Sequence, residues 1–235
     1  MEAELRTRVE QATVTILKTP KRRKRFVPMA QGVLVPGSLI LTAAHCVTWT
    51  EGGAMALGEP HFEVVETADG TRFAVEVVAL EPVADVAILA VVDDQHAELG
   101  ADFDAFQEWA ARTSPVSLTA WEPRLQEISR DATGRPRISE PDSIAVHLLT
   151  HHKRWIDGRV VKLGTNWNQS PRLSQNMIEQ IESGTSGGPI VDDAGRLVGV
   201  VSSDEVTAML SMALPRWVWS RVSDAESRGT AEPSP

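Results

Sequence analysis

Apolar residues fall into many short segments along the chain, and Gly, Pro, Asp and Asn separate them. Residues 12–16 alternate between apolar and polar positions, and the later segments are largely apolar. Many short strands broken by turn residues are typical of a β-sandwich or a β-barrel, so the pattern predicts an all-β protein. The later predicted strands lie at 33–35, 39–43, 62–66, 73–80, 85–92, 116–121, 143–149, 158–163, 188–191, 197–202 and 209–214.

One stretch in the middle of the chain, residues 94–112, has a different period. Its large apolar residues recur at steps of three to four positions: Leu99, Phe103, Phe106 and Trp109. This spacing predicts an amphipathic helix. We interpret the helix as a connector between an N-terminal β-barrel at 9–93 and a C-terminal one at 113–222. The alternative is a helical loop on one larger barrel.

The C-terminal part of the chain contains two further features. Pro215 precedes Arg216 and Trp217, and a proline in the first turn of a helix costs little because no N–H is needed there, so a helix is predicted to open here. Residues 223–235 are small, charged and proline-containing, which predicts a disordered tail beyond a domain at 9–222. Residues 122–142 are polar and interrupted by prolines, which predicts a long surface loop.

Composition and charge exclude several classes of protein. The net charge of −9 argues against a general nucleic-acid binder. The longest apolar run, at 86–92, has seven residues, whereas a membrane-spanning helix needs roughly 20.

The first 18 residues contain no continuous apolar stretch, so we expect no signal peptide. The single cysteine, Cys46, cannot form an internal disulfide. The expected lack of a signal peptide and the lack of an internal disulfide together predict a cytoplasmic protein.

Three local motifs point to nucleophilic catalysis. One apolar segment ends at His45, another begins at Asp85, and Ser186 lies among glycines ahead of a third. A serine hydroxyl is a poor nucleophile until an imidazole takes its proton. The imidazole needs a buried carboxylate to orient it, and glycines let backbone N–H groups turn towards a developing oxyanion.

Each motif alone has an ordinary structural interpretation. A histidine at the end of a strand is usually a hydrogen-bonded polar residue, and an aspartate at the start of a strand is usually a turn or cap residue. A serine among glycines is also found in anion-binding loops and plain turns. The occurrence of all three, in the order His, Asp, Ser, favours a catalytic triad.

The motifs resemble the trypsin/chymotrypsin clan of serine proteases over roughly residues 9–222. The matching segments are Thr42-Ala43-Ala44-His45-Cys46, Asp85-Val86-Ala87-Ile88-Leu89, Gly184-Thr185-Ser186-Gly187-Gly188-Pro189 and 195–202. Within the clan the chain is most similar to the high-temperature-requirement (HtrA-type) proteases, because of Ile181, Ala213-Leu214-Pro215 and the lack of disulfides. Those proteases usually carry a PDZ module, for which no residues remain here, so we expect the protease domain alone.

The resemblance implies both an architecture and a reaction. The expected fold is a chymotrypsin-like double six-stranded β-barrel with a short inter-barrel helix and a C-terminal helix. The expected activity is that of a serine endopeptidase with the triad His45, Asp85 and Ser186 and an acyl-enzyme intermediate. The N–H groups of Gly184 and Ser186 would form the oxyanion hole, and Ser202 would hydrogen-bond to Asp85.

The resemblance also implies a set of substrate-binding residues: Gln180, Ile181, Ser202, Ser203 and Asp204. Gln180 and Ile181 stand where the clan keeps the base of its primary pocket, and their lack of charge predicts a small or medium apolar side chain before the scissile bond. The backbone of 202–204 would pair with an extended substrate as an added strand. Asp204 and Glu205 are the counter-evidence, because acids at the rim of the cleft would favour basic side chains.

Activation is expected to differ from that of secreted trypsins. In those enzymes a freshly cut N-terminal amine pairs with an aspartate immediately before the serine, and here that position is Thr185. A buried ammonium without a counter-ion would cost several kcal/mol. The N-terminal segment also has no Ile-Val-Gly-Gly-like start. The sequence therefore predicts that no zymogen cleavage is needed.

Three further features have ordinary interpretations. The basic run Lys21-Arg22-Arg23-Lys24-Arg25 is interpreted as a solvated hairpin tip, with a docking loop for an acidic partner as the alternative. Cys46 is interpreted as a small core residue, with redox sensing as the alternative. His151 and His152 have no further ligand at metal-like spacing, so we interpret them as loop residues and expect no metal site.

The sequence leaves competing functions open. Besides an active endopeptidase, a catalytically silent protein-binding or adaptor module on the same fold is the alternative. We expect no cofactor, a protein or peptide substrate, a candidate regulatory partner protein, and neither a membrane nor a nucleic-acid partner.

Overall fold

Two six-stranded β units make up most of the chain in the computed structural model. The structure describes residues 1–18, 26–47, 62–92, 99–119, 121, 128–138, 142–161 and 172–229. The basic run at 21–25 and residues 230–235 lie outside these ranges. The expected all-β fold with two six-stranded units is confirmed, and one unit is a closed barrel.

The first unit is an antiparallel barrel closed in the order β1-β2-β3-β6-β5-β4. Its most apolar strand, β6, is buried at every position but the last, which explains the continuous apolar run seen in the sequence. The strands are β1 Thr13–Lys18, β2 Val27–Val35, β3 Leu39–Thr42, β4 Phe62–Glu66, β5 Arg72–Glu81 and β6 Val86–Val91.

The second unit is an antiparallel sheet that an isolated bridge between Val201 and Thr207 brings close to closure. Its strand order is β13-β12-β9-β10-β11-β14. The strands are β9 Ser143–Leu149, β10 Trp155–Val161, β11 Arg172–Met177, β12 Pro189–Val191, β13 Leu197–Val200 and β14 Val206–Ala208. A separate hairpin, β7 Ile128–Arg130 and β8 Pro136–Ile138, precedes them.

Four helices accompany the sheets in the described ranges: α1 Ala3–Ala12, α2 Gly100–Arg112, α3 Leu210–Ala213 and α4 Arg216–Gly229. The predicted connector helix corresponds to α2, whose Phe106 and Trp109 are buried against Phe73 of the first barrel at ring-centroid distances of 5.7 and 5.6 Å. The helix predicted at Pro215 corresponds to α4. None of the described helices is both long enough and apolar enough to cross a membrane.

Several predictions of individual elements are corrected by the structure. Of the strand predicted at 116–121, the described residues 116–119 and 121 form only one bridge, between Leu118 and Leu197. Within the strand predicted at 209–214, residues Leu210–Ala213 form helix α3 instead, because a helical turn buries Leu210 and Ala213 together. Helix α4 continues to Gly229, so the tail predicted from 223 is helical over its first part. The loop predicted at 122–142 contains the hairpin β7–β8.

Candidate active site

His45 lies in a single turn of 3-10 helix, Ala44–Cys46, that directly follows β3. Its backbone N–H donates to Asp85 Oδ1 at 2.9 Å, and its ring Nδ1 lies 2.8 Å from Asp85 Oδ2. Both oxygens of one carboxylate therefore fix one histidine, through its main chain and its ring. The His45 side chain is 48% exposed, so its other face is open to a substrate.

Asp85 is held in a constrained position at the head of β6. Its φ angle is +59°, in the left-handed region that aspartate tolerates better than most residues. Its backbone carbonyl accepts from Ala44 N–H at 3.1 Å, and its side-chain Oδ2 accepts from Ser202 Oγ at 2.6 Å. The Ser202 bond is the one that the resemblance implies. Asp85 thus links the two β units beneath His45.

These hydrogen bonds set the charges of the pair. The hydrogen bond to Asp85, and then the Cys46 thiol, raise the pKa of His45 well above its usual value of 6.5, against the opposing effect of burial. Burial acts to raise the pKa of Asp85, but the hydrogen bonds from His45 and Ser202 outweigh it and the net pKa is lowered. Asp85 is therefore a carboxylate that stabilises a positive imidazole.

The loop that carries Ser186 is clamped to the first barrel. Ser186 C=O accepts from Gln31 N–H of β2 at 2.8 Å, and Gly187 N–H donates to Val201 C=O at 2.8 Å. Gly187 has a φ angle of +77°, and a Cβ there would overlap the carbonyl oxygen of Gln31 and Oγ1 of Thr42. This position therefore requires glycine, and the serine loop lies against the chain segment that leads into His45.

The two predicted oxyanion-hole donors are available. Glu182 to Thr185 form a tight turn, closed by a Thr185 N–H bond to Glu182 C=O at 3.2 Å, and Gly184 has the positive φ, +92°, of the third turn position. Among the described residues, no acceptor takes the N–H of Gly184 or of Ser186. Two unpaired backbone donors flanking a serine hydroxyl can stabilise a negative oxygen.

No hydrogen bond joins Ser186 Oγ to His45 within the described residues. Catalytic hydrogen bonds are often long before substrate binds and shorten in the complex. The structure thus joins His45, Asp85 and Ser202 by direct hydrogen bonds, and it holds the main chain of Ser186 against Gln31 of β2.

The predicted substrate-binding residues occupy different environments. Gln180 is exposed, whereas Ile181 is half-buried against the core of the second β unit. The backbone of Ser203 is already occupied, because its N–H donates to Val206 C=O at 2.9 Å and its C=O accepts from Gln175 Nε2 at 2.6 Å. A substrate strand could pair with Ser203 only by displacing these bonds. Asp204 is exposed.

The sequence interpretation missed one group beside this site. His151 and His152 lie in the turn between β9 and β10, as expected, and Glu182 lies next to them. One ligand atom from each residue lies within 4.8 Å of the other two. No local pattern in the sequence signals this group, because thirty residues separate Glu182 from His152.

The chain is similar to known proteins both in sequence and in fold. The sequence model of the trypsin-like peptidase domain family matches residues 30–200. A serine endoprotease from Yersinia pestis has 14% identity and a TM-score of 0.52, over 95% of this chain and 68% of that one. The HtrA-type protease AlgW, solved with a tripeptide, has 17% identity and a TM-score of 0.51, over 94% of this chain and 64% of that one.

The active form of the Rv3671c protease from M. tuberculosis has 20% identity and a TM-score of 0.49, over 98% of this chain and 86% of that one. No curated protein matches the chain.

Proposed function

The chain belongs to the trypsin-like peptidase family, and we propose that it cleaves protein substrates with Ser186 as nucleophile, His45 as general base and Asp85 as the orienting carboxylate. Membership makes it a serine endopeptidase, a hydrolase that acts on proteins or peptides. The observation that carries the residue assignment is the pair of hydrogen bonds that the Asp85 carboxylate accepts from His45, one from ring Nδ1 at 2.8 Å and one from the backbone N–H at 2.9 Å.

Acylation follows from this arrangement. Ser186 Oγ attacks the carbonyl carbon of the scissile bond while His45 Nε2 takes the hydroxyl proton. Asp85 accepts from Nδ1–H and stabilises the imidazolium, which is why a raised His45 pKa accompanies the geometry. The N–H groups of Gly184 and Ser186 hold the oxyanion. His45 then gives its proton to the leaving amine, the C–N bond breaks, and an acyl-enzyme ester remains.

Deacylation repeats the same steps with water. His45 takes a proton from a water molecule, whose oxygen attacks the ester carbonyl within the same oxyanion hole. The proton passes to Ser186 Oγ as the C–O bond breaks, and the carboxylic-acid product leaves. The net reaction is hydrolysis of one peptide bond, and it uses no cofactor.

The proposal includes activation without zymogen cleavage. Thr185 is fully buried and its hydroxyl lies 3.5 Å from His151 N–H and 3.4 Å from His151 Nδ1, so this position offers no carboxylate to a buried ammonium. We infer that neighbouring loops, a bound substrate or a regulatory partner protein order the oxyanion turn instead. The test is an activity assay with intact-mass measurement: full-length protein should be active, and activity confined to an N-terminally trimmed form would refute the inference.

The preference at the residue before the scissile bond is proposed to be small or medium and apolar. Ile181, packed on the second core, supports an apolar pocket wall. The exposed acids Asp204 and Glu205 act against it, since they would attract basic side chains. A peptide-library profile dominated by Lys or Arg at that position would overturn the apolar preference.

The experiment that tests the assignment is substitution of the nucleophile. We expect Ser186→Ala to lower turnover of an unfolded substrate such as casein by about 10⁶-fold, and His45→Ala by nearly as much, because the two groups act as a unit. Ser220→Ala, an exposed serine on α4, is the matched control and should retain full activity. Wild-type turnover by Ser186→Ala would exclude the assignment of Ser186, whereas an absence of turnover in the folded wild-type protein would favour a silent binding module.

A further inference from the structure

A second cluster of functional side chains lies on the far side of the oxyanion turn. The turn between β9 and β10 carries His151 and His152, whose ring centroids are 3.7 Å apart. His152 Nε2 lies 3.5 Å from Glu182 Oε2, and one ligand atom from each of the three residues lies within 4.8 Å of the others. Two imidazoles and one carboxylate therefore lie close enough together to share one metal ion.

The carboxylate of Glu182 is only half satisfied. Its Oε1 accepts from Arg154 Nη2 at 2.7 Å, whereas its Oε2 is shielded from solvent and accepts no hydrogen bond. The contact that Oε2 makes is with His152 Nε2, at 3.5 Å, and the Glu182 side chain as a whole is 37% exposed. Arg154 holds the other oxygen, as outer partners hold ligating carboxylates at metal sites. Oε2 can therefore coordinate a cation that His152 also binds.

The donor set matches a particular class of ion. Two histidines and a glutamate, with a fourth position left to water, are a recurrent ligand set of Zn²⁺. At tetrahedral zinc, with bonds of about 2.0–2.1 Å, ligand atoms lie about 3.3 Å apart. The His152–Glu182 pair is already at 3.5 Å, and His152 is exposed, so an ion can enter from solvent. We propose that His151, His152 and Glu182 bind Zn²⁺ or a similar divalent transition metal.

The position of this site couples it to the oxyanion hole. Glu182 begins the turn whose Gly184 N–H is the proposed oxyanion donor. Ring atoms of His151 lie 3.5 Å from the point where a Cβ of Gly184 would be. An ion that joins Glu182 to the two histidines would pin this turn to the β9–β10 turn. This consequence for catalysis rests on the proposed function, whereas the binding of metal does not.

Binding is tested on the Ser186→Ala protein, so that the result does not depend on catalysis. Calorimetric titration with Zn²⁺ should show one site, and Glu182→Gln should weaken it by more than about tenfold. Glu179→Gln is the matched control, because Glu179 also accepts from Arg154, at 3.1 Å, but lies outside the cluster. His152→Asn is a second ligand variant, and thermal unfolding without metal checks that each variant is folded. Equal affinity in Glu182→Gln and Glu179→Gln, or no binding, would overturn the proposal.

Cobalt substitution identifies the ligands. Co²⁺ bound to nitrogen and oxygen ligands should give visible bands without a thiolate-to-metal charge-transfer band. A charge-transfer band would place the metal at Cys46, beside His45, and contradict the site.

The coupling between the zinc site and the oxyanion hole is measured separately, as an effect of zinc on kcat of the active protein. We expect Zn²⁺ to raise kcat of the wild-type protein by about fivefold or more, a normal size for coupling between sites, and to leave kcat of Glu182→Gln unaffected by zinc. Zinc binding without a change in kcat would refute the coupling to the oxyanion hole but would leave the proposed zinc site standing. An inactive protein that still binds zinc at Glu182 would refute the proposed function alone.

Discussion

Asp85 accepts four of the hydrogen bonds that hold the candidate site together. Its carboxylate accepts from the His45 backbone, the His45 ring and the Ser202 hydroxyl, and its carbonyl accepts from Ala44. The left-handed backbone at Asp85 aims the side chain at the turn that holds His45. Such an outlier at an active site is stabilised by the surrounding hydrogen bonds.

Asp85→Asn should therefore preserve the fold and disable the histidine. An amide would present an N–H to Nδ1 or leave the ring in the wrong tautomer, and the expected loss in kcat is about 10⁴-fold, as for the same substitution of the orienting aspartate in other serine proteases. Steady-state kinetics with a peptide substrate, beside a circular-dichroism spectrum, measure the loss. A loss smaller than about tenfold would mean that Asp85 does not orient the base.

The pH dependence of turnover should reflect the raised pKa of His45. The base must be neutral to accept the Ser186 proton, so kcat/KM should fall as the pH drops through the His45 pKa, with a midpoint above 6.5. Removing the carboxylate removes the main cause of the shift, so the residual activity of Asp85→Asn should show its midpoint at lower pH than wild type. A midpoint that is the same in both proteins would show that another group controls the acid limb.

At the scale of elements, the serine loop is positioned by β2 and the end of β3 rather than by its own sequence alone. Gly187 fits because its missing side chain leaves space for the Gln31 carbonyl, to whose oxygen Thr42 Oγ1 donates at 2.6 Å. The same close approach places Ser186 C=O on Gln31 N–H. The catalytic loop therefore depends on the first barrel for its shape.

Gly187→Ala and Gly134→Ala separate steric overlap from backbone strain. Both glycines have positive φ angles, +77° and +79°, but no atom of the described residues lies within 4 Å of a Cβ at Gly134. Gly134→Ala should cost about 1–2 kcal/mol of unfolding free energy, and Gly187→Ala about 3 kcal/mol or more. Urea unfolding measures the free energy of unfolding of both variants. Equal losses would show that the close approach of Gly187 to the Gln31 carbonyl adds no steric cost.

Elements differ in how well the sequence predicts them, for physical reasons. Helix α2 was predictable because its apolar residues follow one helical period, and strand β6 was predictable because its apolar run is continuous and is buried at five successive positions. Strand β11 was not, because Gln175 takes an inward position with 3% exposure and interrupts the apolar alternation. The triad candidates follow from local motifs, whereas Glu182 beside His151 and His152 results from tertiary contacts alone.

At the scale of the whole molecule, helix α1 ties the two β units together. Its Val9 and Ala12 are fully buried in the main core. Its polar side reaches the second unit, where Trp155 Nε1 donates to Glu10 Oε1 at 2.6 Å and Arg8 NH2 donates to Gly195 C=O at 3.2 Å. Helix α1 therefore contacts both β units.

Glu10→Ala should loosen this connection. The variant leaves the half-buried indole N–H of Trp155 without its charged acceptor, so the free energy of unfolding should fall by about 1–3 kcal/mol. Glu4→Ala, which removes an exposed acid from the same helix, is the control and should change stability by less than about 0.5 kcal/mol. Thermal or urea unfolding compares the stability of the two variants. Equal stability would show that the contact between α1 and the second unit does not stabilise the protein.

The central claim is that Ser186 is the nucleophile of a peptidase, and covalent labelling tests it most directly. The protein is incubated with a fluorophosphonate in the presence of an unfolded substrate, and the modified peptide is sequenced by mass spectrometry with fragmentation that separates Ser183 from Ser186. The account predicts one adduct, on Ser186 Oγ, which is absent from Ser186→Ala and forms far more slowly in Asp85→Asn. An adduct on a different serine, or no adduct on folded wild-type protein, would contradict it.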